Sequence, residues 1–502
     1  MMTPMLRISL LFLAISMVAC APEADNPRVP GTVSAFALSR VSVIDGRGGE
    51  AMHDYTIVVR NGQIDAVAPT GSVNLDGIEE IEADGKYVIP GLWDLHAHTF
   101  ADDAVFDLYL LAGVTSIRDM GCPAECTKIL SARRNAREEK PESAPRMLIA
   151  GPMLDGDSPY DGYASHVQVT LDSIPEAISL LQDLNVDLVK VRDFLSSEEF
   201  YAIVDGAEKA GLPLAGHIPT SIPAGKAVEA GLRTVEHEGS LFGGLLLACS
   251  SDEEQLRVEL LQMMQAATRS GNVKQLYAQA LGAHFMERLV GSFDSAKADR
   301  LAELLLESGA AIVPTLIVQD PQLRSSDPVF NGRRLASDTA MEFVPDRFLD
   351  SWRESAETHI LGQAFSAADR EAMARHYRLV VELVSRFHKV GVPILAGTDA
   401  AYPDGTPWIW PGFSLHDELE LLVEAGLTPS EAIAAATGNA AGHMGVEDVG
   451  TIEPGKAADL ILLSADPLAD IGNTRQISDV IISGVFVDRE ALVERLAITR
   501  IE

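Results

Sequence analysis

The chain has 502 residues, of which 47% are hydrophobic and 22% are charged, as is usual for a globular protein with a large core. Its 39 basic and 73 acidic residues give a net charge of −34, which repels phosphate backbones, so we expect no nucleic-acid partner. Four cysteines in a chain of this length exclude a scaffold held together by disulfide bonds.

Residues 1–20 predict a secretory signal peptide. Arg7 supplies a positive charge, and the mostly apolar stretch from Ile8 to Ala19 is too short to cross a bilayer as a helix. The stretch ends in Met17-Val18-Ala19-Cys20, which resembles a bacterial lipobox. We therefore expect Cys20 to be lipidated; an ordinary cleaved signal with an incidental cysteine is the alternative.

Residues 21–33 are rich in Pro, Ala and Gly and predict a flexible tether. The signal peptide implies export to the periplasmic side. Ala21, and no acidic residue, follows the lipobox cysteine, which favours the bacterial outer membrane as the site of the anchor. We expect contact with the membrane only through this lipid.

Both ends of the remaining chain have the texture of β-strands and turns. In residues 34–88, Asn61-Gly62 joins Thr56–Arg60 to Gln63–Val67, a strong signal for a two-residue hairpin. Residues 447–492 resemble them in pattern, and neither end can bury its strands by itself. We therefore predict one small β-sandwich domain that is built from both termini.

Residues 89–446 alternate short apolar runs with helical segments, which predicts an α/β fold with βα units around a parallel sheet. Eight strands favour a closed (β/α)8 barrel of TIM type, with function at the carboxyl ends of the strands. An open, doubly wound sheet is the alternative. The eight candidate strand ends are His98, Arg118, Ala150, Val191, His217, His237, Thr315 and Asp399.

Two connections, 237–311 and 318–391, are longer than one βα unit needs. Amphipathic patterns predict helices over 252–270 and 295–308 in the first connection and over 367–390 in the second. Because long connections often carry function, we interpret the surplus as lids over the mouth of the barrel.

The most informative motif is Asp94-Leu95-His96-Ala97-His98, at the end of an apolar run. Side chains at positions i and i+2 of a strand point to the same side, so the two imidazoles can bind one metal ion. His217, His237 and Asp399 end other predicted strands. Their repetition at strand ends, in a chain with only 12 histidines, predicts a metal site.

Lys190 lies in the otherwise apolar run Val186-Asp187-Leu188-Val189-Lys190-Val191. A buried ammonium group without a partner is costly, and a protonated lysine cannot bind a cation. The carbamate that lysine forms with CO2 is an anionic ligand with two oxygens, and it can bridge two metal ions. The alternative is a lysine whose ammonium group reaches the surface.

Several longer segments resemble the amidohydrolase superfamily in its metal-dependent barrel form. They are Pro90–His98, Gly113–Gly121, Ala396–Asp399, Ala436–Ala441 and Gly450–Asp459. The resemblance implies two divalent metal ions, for which zinc is the expected element.

The resemblance also implies which residues bind these ions. His96, His98 and Asp399 would hold a buried metal, and His217 and His237 would hold a more exposed one. Carboxylated Lys190 and a hydroxide would bridge the two.

The implied reaction is hydrolysis, with a metal-bridging hydroxide as nucleophile and Asp399 as the general acid and base. Within the superfamily the chain looks most like Xaa-Pro and Xaa-Arg dipeptidases and imidazolonepropionase, and the segment Gly412–Leu419 is typical of that group. We therefore expect cleavage of amide bonds in dipeptides or N-acyl amino acids. A lactonase or phosphotriesterase that uses the same metal centre is the alternative.

Three further residues are candidate substrate contacts. His166 follows the third strand, Arg192 lies two residues beyond Lys190 and would suit an α-carboxylate, and His416 follows the eighth strand. Arg192 could instead pair with a structural acid, and His416 could cap a helix. The sequence is compatible with a homo-oligomer and leaves open whether Cys122 and Cys126 form a disulfide bond.

Overall fold

The structure is a computed structural model, and it describes residues 35–159, 165–238, 244–319, 342–355, 366–401 and 408–499. The predicted signal peptide, the tether and Cys20 lie outside the described residues. Among the described helices, none combines the length and the apolar character needed to cross a membrane.

The strands, in chain order, are β1 (Ala35–Val43), β2 (Met52–Arg60), β3 (Gln63–Pro69), β4 (Glu79–Glu82), β5 (Tyr87–Pro90), β6 (Leu92–His98), β7 (Val114–Asp119), β8 (Arg146–Ile149), β9 (Met153–Asp155), β10 (His166–Gln168), β11 (Val189–Val191), β12 (Leu214–Gly216), β13 (Leu232–Glu236), β14 (Ala311–Val313), β15 (Ala400–Ala401), β16 (Leu460–Leu463), β17 (Ile477–Ile482) and β18 (Val485–Phe486).

The helices are α1 (Asp103–Leu111), α2 (Ala124–Ala136), α3 (Ile174–Asp183), α4 (Ser197–Ala210), α5 (Ala224–Glu229), α6 (Gly244–Ala248), α7 (Glu253–Ser270), α8 (Val273–Ala280), α9 (Ala283–Gly291), α10 (Ser295–Ser308), α11 (Leu316–Gln319), α12 (Asp346–Ser355), α13 (Ala367–Val390), α14 (Ser414–Glu424), α15 (Pro429–Ala435), α16 (Gly438–His443) and α17 (Arg489–Thr499). Short 3-10 helices span Pro141–Ser143 and Ile471–Arg475.

Strands from both ends of the chain form one sheet in the order β18-β17-β16-β5-β1-β2-β3, with β4 beside β1. The strand β5 joins the two ends, because it pairs in parallel with β1 and antiparallel with β16. Edge-to-edge pairing makes the β-rich domain from both termini a single sheet, and its description as a β-sandwich stays a prediction. The sheet curls over its own core, with the rings of Phe36 and Phe486 5.2 Å apart.

The hairpin at Asn61-Gly62 is confirmed. Arg60 pairs with Gln63, and the two turn residues have φ values of +49° and +80°. Two successive left-handed residues make the turn whose twist matches that of the flanking strands.

The middle of the chain is a TIM-barrel-like α/β unit of parallel strands and surrounding helices. Its strands form two sheets, in the orders β15-β6-β7-β8 and β10-β9-β11-β12-β13-β14. Hydrogen bonds connect the two sheets at both ends: the Asp187 N–H donates to the Ile149 carbonyl (2.8 Å) and the Leu395 N–H to the Ile312 carbonyl (2.9 Å). The Leu95 N–H then donates to the Ala396 carbonyl (3.0 Å).

The three helices predicted in the long connections are present as α7, α10 and α13. Ser366 and Asp369 form a reciprocal capping box at the start of α13. The first two helices end at Gly271 and Gly309, in the left-handed conformation that glycine adopts at little cost. Arg257 of α7 donates to the Thr220 carbonyl in the loop after β12, so α7 lies against the edge where that strand ends. The role of the connections as lids stays a prediction.

Cys122 and Cys126 form a disulfide bond, with their Cα atoms 5.9 Å apart. This answers the question that the sequence left open. Cys249 is buried and free.

Candidate metal centre

Six polar side chains that are far apart in the sequence meet where the parallel strands end. His96, His98 and Asp399 form the tightest group, with one potential ligand atom from each lying within 4.8 Å of the others. The Nε2 atoms of His96 and His98 lie 3.3 Å and 3.2 Å from Oδ1 of Asp399. These three atoms face a common point, as ligands of a single cation do.

The other three predicted ligands lie beside this group. Nε2 of His237 is 3.9 Å from Oδ2 of Asp399, and the His217 and His237 ring centroids are 5.0 Å apart. Nζ of Lys190 donates to Nε2 of His96 (3.0 Å). Lys190 is 1% exposed, so the alternative that its ammonium group reaches the surface is wrong.

Each of the four imidazoles has its Nδ1 atom engaged by the protein. The pairs are His96 with Oε2 of Glu236 (2.8 Å), His98 with the Gly121 carbonyl (3.0 Å), His217 with Oδ2 of Asp193 (2.7 Å) and His237 with Oγ1 of Thr315 (2.6 Å). Carbonyl and carboxylate oxygens only accept, so Nδ1 carries the proton in the first three and Nε2 keeps its lone pair. Such contacts fix the tautomer and orientation of a metal-binding imidazole.

Glu236 joins the centre to the interior of the barrel. Its Oε1 accepts from Nη2 of Arg118 (2.7 Å) while its Oε2 accepts from His96. Nε of Arg118 donates to the Leu95 carbonyl (2.6 Å), and both charged side chains are buried. The paired charges offset the cost of burial, and the network holds the His96 ring in place.

Asp94 holds the backbone on either side of the centre. Its Oδ1 accepts from the N–H groups of His96 (3.1 Å) and Thr398 (3.0 Å), and its Oδ2 accepts from the Thr398 hydroxyl (2.6 Å). Burial raises the pKa of Asp94 to about 7 although these hydrogen bonds oppose the shift. The hydrogen bonds of Asp94 therefore link β6 to the segment that carries Asp399.

Burial lowers the pKa of the imidazoles of His96, His217 and His237, to about 3 for His237. Neutral imidazole is the form that binds metal ions. Burial raises the pKa of Asp399, but the neighbouring imidazoles, His96 first, outweigh it and hold this pKa well below its usual range. Burial also lowers the pKa of Lys190 to about 8, against the opposing effect of Glu236.

Three residues of the centre have left-handed backbone: His237 (φ +58°), Thr315 (φ +44°) and Asp399 (φ +55°). This region is costly for residues with a Cβ atom, and most of all for a β-branched threonine. Such strain persists only where the surrounding structure holds it.

The donor set fits a divalent metal ion. Nε2 of His217 is buried and has no hydrogen-bond partner in the described part of the chain, although its Nδ1 is fixed by Asp193. An imidazole nitrogen left in this way lacks a ligand. Nitrogen and carboxylate donors of this kind suit zinc and related metals.

The predicted substrate contacts separate into two groups. Arg192 lies 3.8 Å from the carboxylate of Asp193, and charges on Arg192, Lys190 and His217 add to the burial that lowers the pKa of His166 to about 3. His166 and Arg192 therefore lie beside the centre.

His416 lies elsewhere. Its Nδ1 is hydrogen-bonded to Oγ1 of Thr474 (2.9 Å), and its Nε2 to the Ala112 carbonyl (3.0 Å). It is 1% exposed, with both nitrogens engaged by the protein. Its position favours the structural alternative over substrate binding, because no ring atom is left for a ligand.

Four supporting residues were not assigned a role from the sequence: Asp193, Glu236, Thr315 and Glu418. Glu236 and Asp193 are charged residues close to predicted ligands in apolar segments, and this is the signal that could have identified them. Burial raises the pKa of Glu418 to about 8, against the opposing effect of the Leu316 and Ile317 N–H groups, which donate to its carboxyl oxygens.

Comparison with known proteins agrees with this arrangement. A model of the amidohydrolase family matches residues 365–487. Imidazolonepropionase from Geobacillus kaustophilus (strain HTA426) is 27% identical over 439 residues, which is 83% of this chain and 86% of that protein. These matches support the amidohydrolase superfamily for this chain. The protein is a hydrolase of the class that acts on carbon–nitrogen bonds.

Solved amidohydrolase structures share the fold. A Xaa-Pro dipeptidase with bound methionine has a TM-score of 0.60 at 18% identity, covering 90% of this chain and 99% of that one. Bottromycin amidohydrolase has a TM-score of 0.63 at 21% identity, covering 93% and 90%. Identities at this level carry the fold and leave the substrate to other arguments.

Proposed function

We propose that this amidohydrolase uses two divalent metal ions, zinc in the first instance, to hydrolyse amide bonds in dipeptides or N-acyl amino acids. The proposal is carried by one observation: four imidazoles, Lys190 and Asp399 converge at one strand edge, and three of the imidazoles point Nε2 at the carboxylate or the lysine. Within this proposal His96, His98 and Asp399 hold one ion, and His217 and His237 the other.

Lys190 completes the pair as its carbamate. In the unmodified form its ammonium group lies 3.0 Å from a ligand nitrogen, where it would repel a cation. Reaction of the neutral amine with CO2 replaces this positive charge with an anionic group of two oxygens. The burial of Lys190 lowers its pKa and so favours the neutral amine that the reaction requires.

The bound ions would lower the pKa of a water molecule and polarise the scissile carbonyl group. Asp399 would take the proton of that water on Oδ2, because Oδ1 already faces His96 and His98. It would then deliver the proton to the leaving nitrogen. Glu236 and Asp193 would keep two imidazoles in the tautomer with Nε2 unprotonated throughout.

The substrate class rests on Arg192 and His166, which lie beside the centre. A guanidinium group there suits the α-carboxylate of an amino acid. The names of similar proteins, imidazolonepropionase and Xaa-Pro dipeptidase, agree with an amide substrate.

We further propose that the eight strands form a closed (β/α)8 barrel over 89–446. The hydrogen bonds that join β8 to the start of β11, and β14 to β6 through residues 393–396, support closure. Residues 34–88 and 447–492 are proposed as the β-domain, in agreement with their shared sheet.

We also propose, from the sequence alone, an exported protein that is lipid-anchored at Cys20. The Cys122–Cys126 disulfide agrees with an oxidising compartment.

A purified, zinc-loaded enzyme tested on a library of dipeptides and N-acyl amino acids, with ninhydrin detection of released amines, tests the function. Lactones, organophosphates and imidazolonepropionate belong in the same panel. We expect hydrolysis of at least one dipeptide or N-acyl amino acid, and abolition of this activity by chelation. Turnover of lactones or phosphotriesters alone would replace the proposal with its alternative.

A further inference from the structure

Glu418 is a fully buried carboxylate on α14, two residues after His416. Its Oε1 accepts from the Leu316 N–H (2.9 Å) and its Oε2 from the Ile317 N–H (2.8 Å). No ion pair joins Glu418 to a basic side chain among the residues that the structure describes. A buried carboxylate normally has a charged partner, and this one is directed at two backbone N–H groups instead.

These N–H groups begin α11, immediately after Thr315. At the start of a helix they have no carbonyl partner within the helix, so Glu418 supplies the acceptors that they need. Leu316 and Ile317 are themselves fully buried, where water cannot replace the carboxylate. Loss of either hydrogen bond would leave a buried donor unsatisfied.

Thr315 is the connection to the metal centre. Its hydroxyl lies 2.6 Å from Nδ1 of His237, and its backbone is held at φ +44°. A β-branched residue leaves this conformation unless its neighbours hold it there. The two backbone groups that follow Thr315 are those bound by Glu418, so the carboxylate opposes relaxation of the strained residue.

We propose that Glu418 is a positioning residue for His237: it fixes the backbone after Thr315, and Thr315 in turn fixes the imidazole. This inference rests on the proposed function, because it takes His237 to be a metal ligand. The segment Gly412–Leu419 then has two structural roles. His416 is hydrogen-bonded to the Ala112 carbonyl, and Glu418 acts on the metal centre through Thr315.

The test is cobalt(II) binding to metal-free protein, followed by the visible absorption of bound cobalt. Glu418→Gln keeps the size of the side chain but replaces one acceptor oxygen with an NH2 group, which cannot accept from an N–H. We expect the affinity of the cobalt site that contains His237 to fall about 10- to 100-fold, as when other groups that orient a metal ligand are lost. Glu420→Gln, on the same helix with its side chain 45% exposed, is the matched control and should bind cobalt normally.

A double-mutant cycle tests the route through Thr315. Thr315→Val removes the hydroxyl with little change in volume and should reduce affinity as Glu418→Gln does, while Thr315→Ser should retain it. The double variant should be little worse than either single variant, because both act on one contact. Fully additive losses would overturn the route.

Two further measurements separate the other outcomes. A fall in thermal stability of Glu418→Gln with unchanged cobalt affinity would make Glu418 a structural residue only and overturn the inference. His237→Asn identifies a failure of the proposed function: if this variant binds two cobalt ions normally, His237 is not a ligand. Weakened binding in His237→Asn with normal binding in Glu418→Gln would refute the inference alone.

Discussion

Left-handed backbone has different consequences in two regions of this molecule. In the sheet built from both chain ends it includes the tight turns at Asn61-Gly62 and Ser483-Gly484, where it matches the twist of the paired strands. At the carboxyl edge of the parallel strands it falls on His237, Thr315 and Asp399, where it aims side chains at the metal centre.

The two regions also differ in what they bury. The curled sheet encloses apolar side chains such as Phe36 and Leu460. The strand edge buries charged and polar groups such as Glu236, Lys190 and Asp193. The sheet therefore contributes to the stability of the folded protein. At the strand edge, burial of polar groups and backbone strain cost stability but orient the side chains of the metal centre. Changes at the edge should alter activity and metal binding first, and changes in the sheet should alter stability first.

The largest effect is expected for Asp399→Asn. The amide cannot accept and deliver the proton, so kcat should fall by about 10³-fold or more. Measured kcat, circular dichroism and elemental analysis separate lost chemistry from lost fold. Normal turnover with full metal content would contradict the role of Asp399.

Lys190→Ala removes the proposed bridging group, and we expect loss of one of the two metal ions with most of the activity. Small carboxylates such as formate or acetate should restore part of both, because they can occupy the space of the carbamate. Elemental analysis with and without the carboxylate checks this. Unchanged metal content would count against the modified lysine.

Asp155→Asn tests whether a buried carboxyl group at the end of β9 costs stability. Burial raises the pKa of Asp155 to about 7, and Oδ2 has no hydrogen-bond partner in the described part of the chain. Between pH 3.8 and 7 the folded state binds the proton more tightly than the unfolded state, so stability should fall as pH rises through this window.

The variant should remove this slope and be more stable near pH 7, by about 4 kcal/mol. Urea unfolding of both proteins from pH 5 to pH 8 measures it. Parallel stability profiles would show that Asp155 carries no such cost.

Glu236→Gln tests whether the charge of Glu236, beyond its hydrogen bond to His96, supports metal binding. The amide keeps the size of the carboxylate but loses the charge that pairs with Arg118, so metal affinity should weaken about 10- to 100-fold. Glu229→Gln, a surface residue on α5, is the matched control. Equal zinc affinities for both variants would show that the charge of Glu236 does not support metal binding.

The smallest effect is expected in the sheet. Asn61→Ala places a less tolerant residue at φ +49° and should lower the free energy of unfolding by about 1 kcal/mol. Its kcat should equal that of the unchanged enzyme. A clear loss of activity in this variant would contradict the division of labour between the two regions.

The sequence predicted local features well. The hairpin at Asn61-Gly62, the helix over Ala367–Val390 and the placing of His98 at a strand end all follow from short patterns of turns, period and caps. The supporting contacts could not be predicted, because they join residues far apart in the chain. Glu236 and His96 are 140 positions apart, and periodicity says nothing about such a pair.

Two features that the sequence left open have the same origin. His416 was a candidate substrate contact because its segment follows the eighth strand, and its position on α14 turns it to Thr474 and the Ala112 carbonyl, which favours the structural alternative. One β-domain was expected because both ends of the chain contain strands. The strand β5 pairs with strands from both ends and makes them one sheet. This pairing joins residues far apart in the chain, so the local pattern of either end does not predict it.

The most direct test of the account is a crystal structure of the zinc-loaded protein with anomalous differences measured at the zinc edge. We predict two peaks at the strand edge, one in contact with His96, His98 and Asp399 and one with His217 and His237, and density for a carboxyl group on Nζ of Lys190. A single peak, peaks away from these side chains, or an unmodified Lys190 still bonded to His96 would contradict the binuclear centre.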